Sequence, residues 1–565
     1  MLTNRKLPHR RAHSPTCSEL IIVAAVTIAC ILFVGPIGAE AERKPSSQTP
    51  QREQLTIQPD EAIVQWTGDL DGMIKRGRIR VLTAYSKTSY FIDKGVQRGA
   101  TYDAVRLFEK DLNKKLAQQG KLNKKHVKVR VVLIPVVRAE MLSALAAGMG
   151  DIAASSITIT EGRRKLVDFS APMYPNVSEV VVSGPASPPV ASVDDLAGKE
   201  VFVRKSSGYY ESLVALNQLF AAKGKPAVVI KEAPEPLEDE ELIEMVNDGL
   251  IPLIVVDKRK ADFWKQIFPK IMVHDGVAVR TGGEIAWAIL KSSPQLKAVV
   301  NDFIARHGKG TAAGNQIQAR YFKSAKYVKD AASESERKKY MTMIKHFKKY
   351  GDKYDVDWLL MVAQGYQESK LNQAALSPAG AIGVMQIIPS TGKELDVGDI
   401  TEVEANIHAG VKYMRWMIDQ YYGKEPMSNL DKALFAFASY NAGAGRISKL
   451  REEAAKRGLD PNVWFQNVEY VTAEHIGAET VTYVGNILNY YIAYQLVMEG
   501  KAGRAHALEK LKGLSKDTLI ARNKVLQTVR SIKSFTENLL CFAPIFPMNF
   551  MLKDNSRFSL SITSD

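Results

Sequence analysis

The period of the hydrophobic positions changes once along this chain. From about residue 76 to about 310, short β-branched runs alternate with stretches whose apolar positions recur every three or four residues. RIRVLTAY (78–85), VKVRVVLIPV (127–136) and DIAASSITIT (151–160) read as strands. TYDAVRLFEKDLNKKLAQQ (101–119) reads as a helix with Val105, Phe108 and Leu112 on one face, and RAEMLSALAAG (138–148) as a helix closed by Gly148. The alternation continues through EVFVRK, SLVALNQLFAA and PLIVVDKRKADFW. Strands alternating with helices predict an α/β domain with parallel strands. Beyond about 335 the strand signal fades and helix follows helix; Ile407, Gly410, Val411, Met414, Met417, Ile418 and Tyr421 form one core-facing stripe.

The ends of the chain follow other rules. Arg5, Lys6, Arg10 and Arg11 precede an uncharged run from Leu20 to Val34, and small residues follow up to Ala41. A basic, then apolar, then small-residue order predicts an export signal over 1–41. The run is short for a membrane span, which needs about 20 residues; an uncleaved anchor is the alternative. Residues 42–75 begin polar and proline-containing and read as a linker. The last stretch, 501–565, starts basic and ends CFAPIFPMNFM, whose prolines and lack of period argue against a packed domain.

Composition narrows the partners. A chain of 565 residues, 46% hydrophobic and 24% charged, is globular and holds two or three domains. A net charge of +15 suits an acidic polymer, an anionic membrane or nucleic acid. No nucleic-acid recognition signature is present, so that partner is set aside. Cys17, Cys30 and Cys541 make no disulfide framework. No metal-binding pattern appears, so neither metal nor cofactor is expected.

Two places carry candidate chemistry. In the first half, the hydroxyls of Ser155, Ser156 and Thr158, with Arg163, suit a carboxylate, and Asp257 at a strand end suits an ammonium. The plainer reading is a strand that ends in Ser and Thr beside a surface arginine. In the second half, VDWLLMVAQGYQES delivers Glu368 near a helix end, and no charge follows between Lys370 and Lys393. Small residues there let backbone approach a ligand, and an uncharged, apolar neighbourhood raises a carboxyl pKa. A glutamate kept protonated near neutral pH serves as a general acid. The nearest other acids are Asp357 before the motif and Glu394 after it.

The segment GDIAASSITITEGRRKLVDFSAPMY, followed by VDDLAGKEVFVRKSSGYYESL and LIVVDKRKADF, resembles periplasmic solute-binding proteins of the polar amino-acid type. That resemblance covers roughly 76–310. It implies two α/β lobes closing on a small zwitterion or muropeptide, with Ser156, Thr158, Arg163, Ser207 and Asp257 as ligand-binding residues. Tyr85 and Tyr90 are both candidates for the aromatic platform. QES…NQAALSPAGAIGVMQIIPST, NIHAGVKYM, FASYNAGAGRI and ETVTYVGNI occur in the order of soluble-lytic-transglycosylase domains. This second resemblance implies a mainly α, goose-type-lysozyme-like domain over 346–500, joined through 311–345. Glu368 is then the sole acid/base, and Ser369, Gln386, Tyr440, Asn441 and Tyr483 line the groove. NAGAG as a helix cap, Tyr483 as core and His408 as an ordinary helix residue are the plainer readings. Together the two resemblances imply a membrane-associated enzyme of the periplasmic side of the envelope, outer membrane by resemblance. It would cleave peptidoglycan glycan strands to 1,6-anhydro ends. A wall-docking sensor without catalysis and a lysozyme-like hydrolase are the alternatives.

Overall fold

A nine-stranded sheet runs through the first half of the protein in the order β4-β1-β5-β11-β7-β10-β8-β9, with β6 on β11. Its strands are β1 (Arg78–Thr83), β4 (Arg130–Pro135), β5 (Ile152–Thr158), β6 (Asp168–Phe169), β7 (Tyr174–Ser183), β8 (Glu200–Arg204), β9 (Val229–Ala233), β10 (Leu253–Asp257) and β11 (Met272–Ile289), while β2 (Phe91–Asp93) and β3 (Val96–Arg98) pair with each other in a separate hairpin. The computed structural model describes residues 54–57, 64–122, 127–331 and 334–540. The expected export signal, most of the polar linker and residues 541–565 lie outside these.

Parallel pairing holds inside each lobe. β1 pairs in parallel with β4 and β5, and β8 with β9 and β10. The two sets are joined by β7 and β11, which run antiparallel to their neighbours. Sequence alternation does not reveal β11, because register shifts break its period between His274 and Ala278 and again between Gly283 and Ile285. The result is two α/β lobes on a shared pair of long strands.

Along β1, successive residues point to opposite faces. Ile79 and Val81 pack with Phe108, Trp287 and Phe303 under the helices Ala100–Gln118 and Pro294–His307. Leu82, with Val132 and Ile134 of β4, shares a core with Leu488, Tyr491 and Ile492 of the helical region. The first lobe therefore buries one sheet face against its own helices and the other against the second domain. The second lobe keeps its own core, built from Val180, Val181, Val182, Phe220 and Trp264.

The helical region is assembled around Trp358–Ser369, which packs against Glu334–Tyr354 and against the long helix Ala478–Leu540. Asp357 caps it: its Oδ1 accepts from the Leu359 amide at 2.9 Å, and its Oδ2 from the Tyr491 hydroxyl at 2.6 Å. The long helix passes Lys501 unbroken. The lack of packing expected from 501 is not found at its start, where Ala507 is buried in the second lobe's core and Arg504 pairs with Glu241 at 3.2 Å. The Ala-, Leu-, Lys- and Glu-rich sequence there favours helix without needing a period. Among the described residues no helix is long and apolar enough to cross a membrane.

Candidate active site

Glu368 is the last residue but one of its helix, which is closed by Lys370 in the left-handed region. Its half-buried carboxylate accepts a 2.5 Å hydrogen bond from the Tyr483 hydroxyl on the long helix. Burial pushes its pKa up to about 7, and the Tyr483 bond works in the opposite direction. No charged side chain is among the causes of that shift. Asp357 sits at the other end of the same helix, roughly 16 Å away at 1.5 Å per residue. Glu394 and Glu479 are exposed.

Tyr483 and Tyr440 frame the acid. Burial and the Glu368 carboxyl hold both phenols well above their usual pKa, so both stay protonated donors. Tyr440 donates to the Met385 carbonyl at 2.7 Å. Gln364, one helical turn before Glu368 and fully buried, donates to the Tyr483 hydroxyl at 3.3 Å. The sequence does hold a signal for Gln364: it is a polar residue in an apolar stripe, four places from the acid.

The uncharged loop after the helix is pinned by amides. The buried Asn406 accepts from the Met385 amide at 2.8 Å and donates to the carbonyls of Ile382 and Ile400. Gln373 accepts from the Val384 amide at 3.2 Å. Gly383, at φ 80°, lies so close that a Cβ there would stand 2.5 Å from Asn406 Nδ2. Ser369 is spent on the same loop: its hydroxyl donates to the Val384 carbonyl at 2.9 Å and accepts from the Asn372 amide. Gln386, itself at φ 48°, donates to the Gly383 carbonyl at 2.9 Å. Asn441 is exposed and accepts from Thr480 Oγ1 at 2.7 Å. His408 lies elsewhere, stacked on Tyr350 and bonded to Tyr354. Burial and the neighbouring lysines push its pKa down to about 4.

The cleft between the lobes is a second candidate site. Ser156, Thr158, Arg163, Ser207 and Gly208 line a cavity of about 180 Å³ together with Arg138, Arg204, Asp239 and Lys260. The lobes meet directly there. Arg163, from the first lobe, donates to the Thr158 carbonyl at 3.1 Å and to the Ser206 carbonyl at 2.8 Å, and pairs with Glu211 at 3.1 Å. Arg138 grips Glu238 with contacts of 2.7–3.1 Å, and Arg204 and Lys260 each pair with Asp239 at 2.5 Å. Ser207 caps the helix Gly208–Ala222 through the Tyr210 amide. Asp257 is not brought to this cavity: it is 1% exposed, caps the helix Lys258–Lys265 and is held by Arg259, which stacks on Tyr174 at 4.2 Å. Sequence reading missed Arg259 because it belongs to the run Lys258-Arg259-Lys260, which looks like solvated surface.

Comparison with known families matches residues 78–324 to bacterial extracellular solute-binding proteins, family 3, and residues 345–462 to the transglycosylase SLT domain. The chain unites these two domains. The SLT match spans Glu368, Tyr440 and the pinned loop; Tyr483 lies just beyond it. A protein of Desulfosudis oleivorans named membrane-bound lytic murein transglycosylase F is 29% identical over 74% of this chain and 90% of its own length. One of the same name from Pseudomonas fluorescens is 26% identical over 75% of this chain and 85% of its own. A solved substrate-binding protein of an amino acid ABC transporter is 21% identical over 44% of this chain and all of its own, with a TM-score of 0.35.

Proposed function

We propose that this chain is an exported peptidoglycan lytic transglycosylase that cleaves the β-1,4 bond between N-acetylmuramic acid and N-acetylglucosamine. The observation that carries the reading is Glu368: a carboxyl near neutral pKa, bonded by Tyr483, with no charged group among the described residues shifting it. Most glycosidases use two carboxylates. With one, the sugar supplies the nucleophile. Glu368 gives its proton to the leaving oxygen as the bond from C1 breaks. As carboxylate it then takes the proton of the C6 hydroxyl while O6 bonds to C1 of the same ring. Intramolecular attack has a large effective concentration, so one residue suffices. Tyr483 and Tyr440 seat the acid, Ser369 holds the loop floor, and Gln386 and Asn441 line the glycan groove.

The curated relatives are named membrane-bound, and we place this protein on the periplasmic side of the envelope, at the outer membrane. In this reading residues 346–500 catalyse, 311–345 connect, and 76–310 bind a small zwitterionic ligand or muropeptide. Ser156, Thr158, Arg163 and Ser207 would take its carboxylate. Asp257 would take its ammonium only by exchanging Arg259 for it. The long helix offers a route for control, since it carries Tyr483 near one end and Arg504, paired with the second lobe, further along. A ligand controls turnover by that route only if it favours one arrangement of the lobes.

Digestion of purified peptidoglycan followed by mass analysis tests the reading. It expects 1,6-anhydro ends and no new reducing ends. Reducing ends would make the protein a lysozyme-like hydrolase, and absence of cleavage would leave a docking sensor.

A further inference from the structure

Among the described residues, the large apolar side chains left exposed include one aromatic, Trp416, at 47%. It stands on the helix Val403–Tyr421, whose apolar stripe is otherwise core. The indole is not a stray surface ring. It stacks on Tyr413 with centroids 5.6 Å apart and planes 10° from parallel, and meets the edge of Tyr421 at 6.0 Å. Tyr413 in turn meets Tyr440 edge-on at 5.4 Å, and Tyr440 borders Glu368. A contiguous row of rings therefore leads from the candidate acid to the surface and ends in the half-exposed indole of Trp416.

The loop beside the acid adds to it. Leu376 and Ile388, at the two ends of the pinned loop, are 72% and 48% exposed. Apolar surface of this kind, continuous with a polar site, marks a place where something docks. A hexopyranose ring suits it, because its axial C–H bonds make one face apolar while its rim keeps hydroxyls for solvent. Neither half-buried tyrosine presents an ionised group to it: burial raises the Tyr413 pKa as it does that of Tyr440.

We infer that Trp416, backed by Tyr413, is a stacking platform for a sugar ring of the glycan strand, farther along the strand than the ring at Glu368. The inference rests on the transglycosylase reading and adds to it a subsite that selects for strand length. Tyr413 holds the indole flat, and Tyr440 joins the platform to the acid. A strand long enough to reach Trp416 gains binding that a short one does not.

The test uses the full chain with Trp416→Ala and Trp416→Phe. On polymeric glycan strands, Trp416→Ala should raise KM about tenfold while kcat moves far less, as expected for one lost aromatic stack. Trp416→Phe should recover part of that loss, and the defect should shrink as the strands are shortened. Co-sedimentation with peptidoglycan in a Glu368→Gln background, with and without Trp416→Ala, reads binding without chemistry. A loss there keeps the platform even if the digest shows the chemistry to be something else. Equal sedimentation and equal KM on long strands would overturn it. So would a defect of the same size at every strand length, or a loss confined to binding of phosphatidylglycerol vesicles, which would make Trp416 a membrane contact.

Discussion

Glu368 and the cleft between the lobes solve opposite electrostatic problems. Around Glu368 the described residues supply no countercharge, and burial, opposed by the Tyr483 bond, moves the carboxyl to about pH 7. In the cleft the charged groups already have partners from the chain itself, Arg163 with Glu211 and Arg138 with Glu238, and outside the cavity Asp257 is held by Arg259. A lone buried acid is poised to trade a proton with a neutral substrate. Ion-paired groups respond only to a ligand that replaces a partner, and breaking a buried pair such as Arg138–Glu238 costs several kcal/mol unless the ligand restores it. The first arrangement suits chemistry and the second suits a threshold for switching.

The largest effect is expected at the acid. Glu368→Gln keeps the shape and an acceptor for Tyr483, and kcat on peptidoglycan should fall by at least about 10². The same variant should gain stability where the wild type must bury a charge. A folded pKa of about 7 against an ordinary 4.5 means that stability is fully present below 4.5 and is lost as pH rises through 7. Glu368→Gln should therefore unfold later than wild type at pH 8, by roughly 1–3 kcal/mol, and show little difference at pH 4. Equal melting at both values would show that the carboxyl is not held in its protonated form.

Arg130 tests how far the two halves depend on each other. From β4 it pairs with the buried Glu469 at 2.8 Å and donates to the Val481 carbonyl, two residues before Tyr483. Arg130→Ala should cost about 3 kcal/mol in chemical denaturation by removing the ion pair made to the buried Glu469. If it costs nothing, the first lobe is not a structural support for the helix that carries Tyr483. Tyr483→Phe is milder. Removing a bond that lowers the Glu368 pKa should move the alkaline limb of kcat/KM to higher pH, with a loss of activity of about tenfold. A limb shifted to lower pH would reverse the assigned sign. The smallest effect belongs to the cleft. Arg259→Ala should free Asp257 and give calorimetric binding of cationic or zwitterionic amino acids that is weaker or absent in wild type, and Arg163→Ala should abolish it. Unchanged heats in Arg259→Ala would mean that Asp257 is not an ammonium seat.

Much of this architecture was legible in the sequence for physical reasons. The strands β1 and β4 are β-branched runs and β5 a run of small and β-branched residues, all largely buried, and the helix that delivers Glu368 has a clear stripe and an Asp357 cap. The gap in charge after Lys370 pointed to the loop, but its purpose is divided: the gap spares Glu368 a neighbour, and the small residues let Asn406 and Gln373 pin the backbone. What could not be read depends on the third dimension. β7 and β11 unite the lobes through antiparallel pairing that no local period encodes. Tyr483 was open to a core or a groove reading, and its place is both, 5% exposed yet bonded to the acid. Trp416 vanished into the stripe of its helix because Met414, Met417 and Ile418 around it are core.

The measurement that bears most directly on the lone acid is a carboxyl-carbon NMR titration of Glu368, assigned by comparison with Glu368→Gln. The account predicts a single transition with a midpoint about pH 7, moving higher in Tyr483→Phe. A midpoint near 4.5, the ordinary value, would contradict it, because the group would then hold no proton to give at neutral pH.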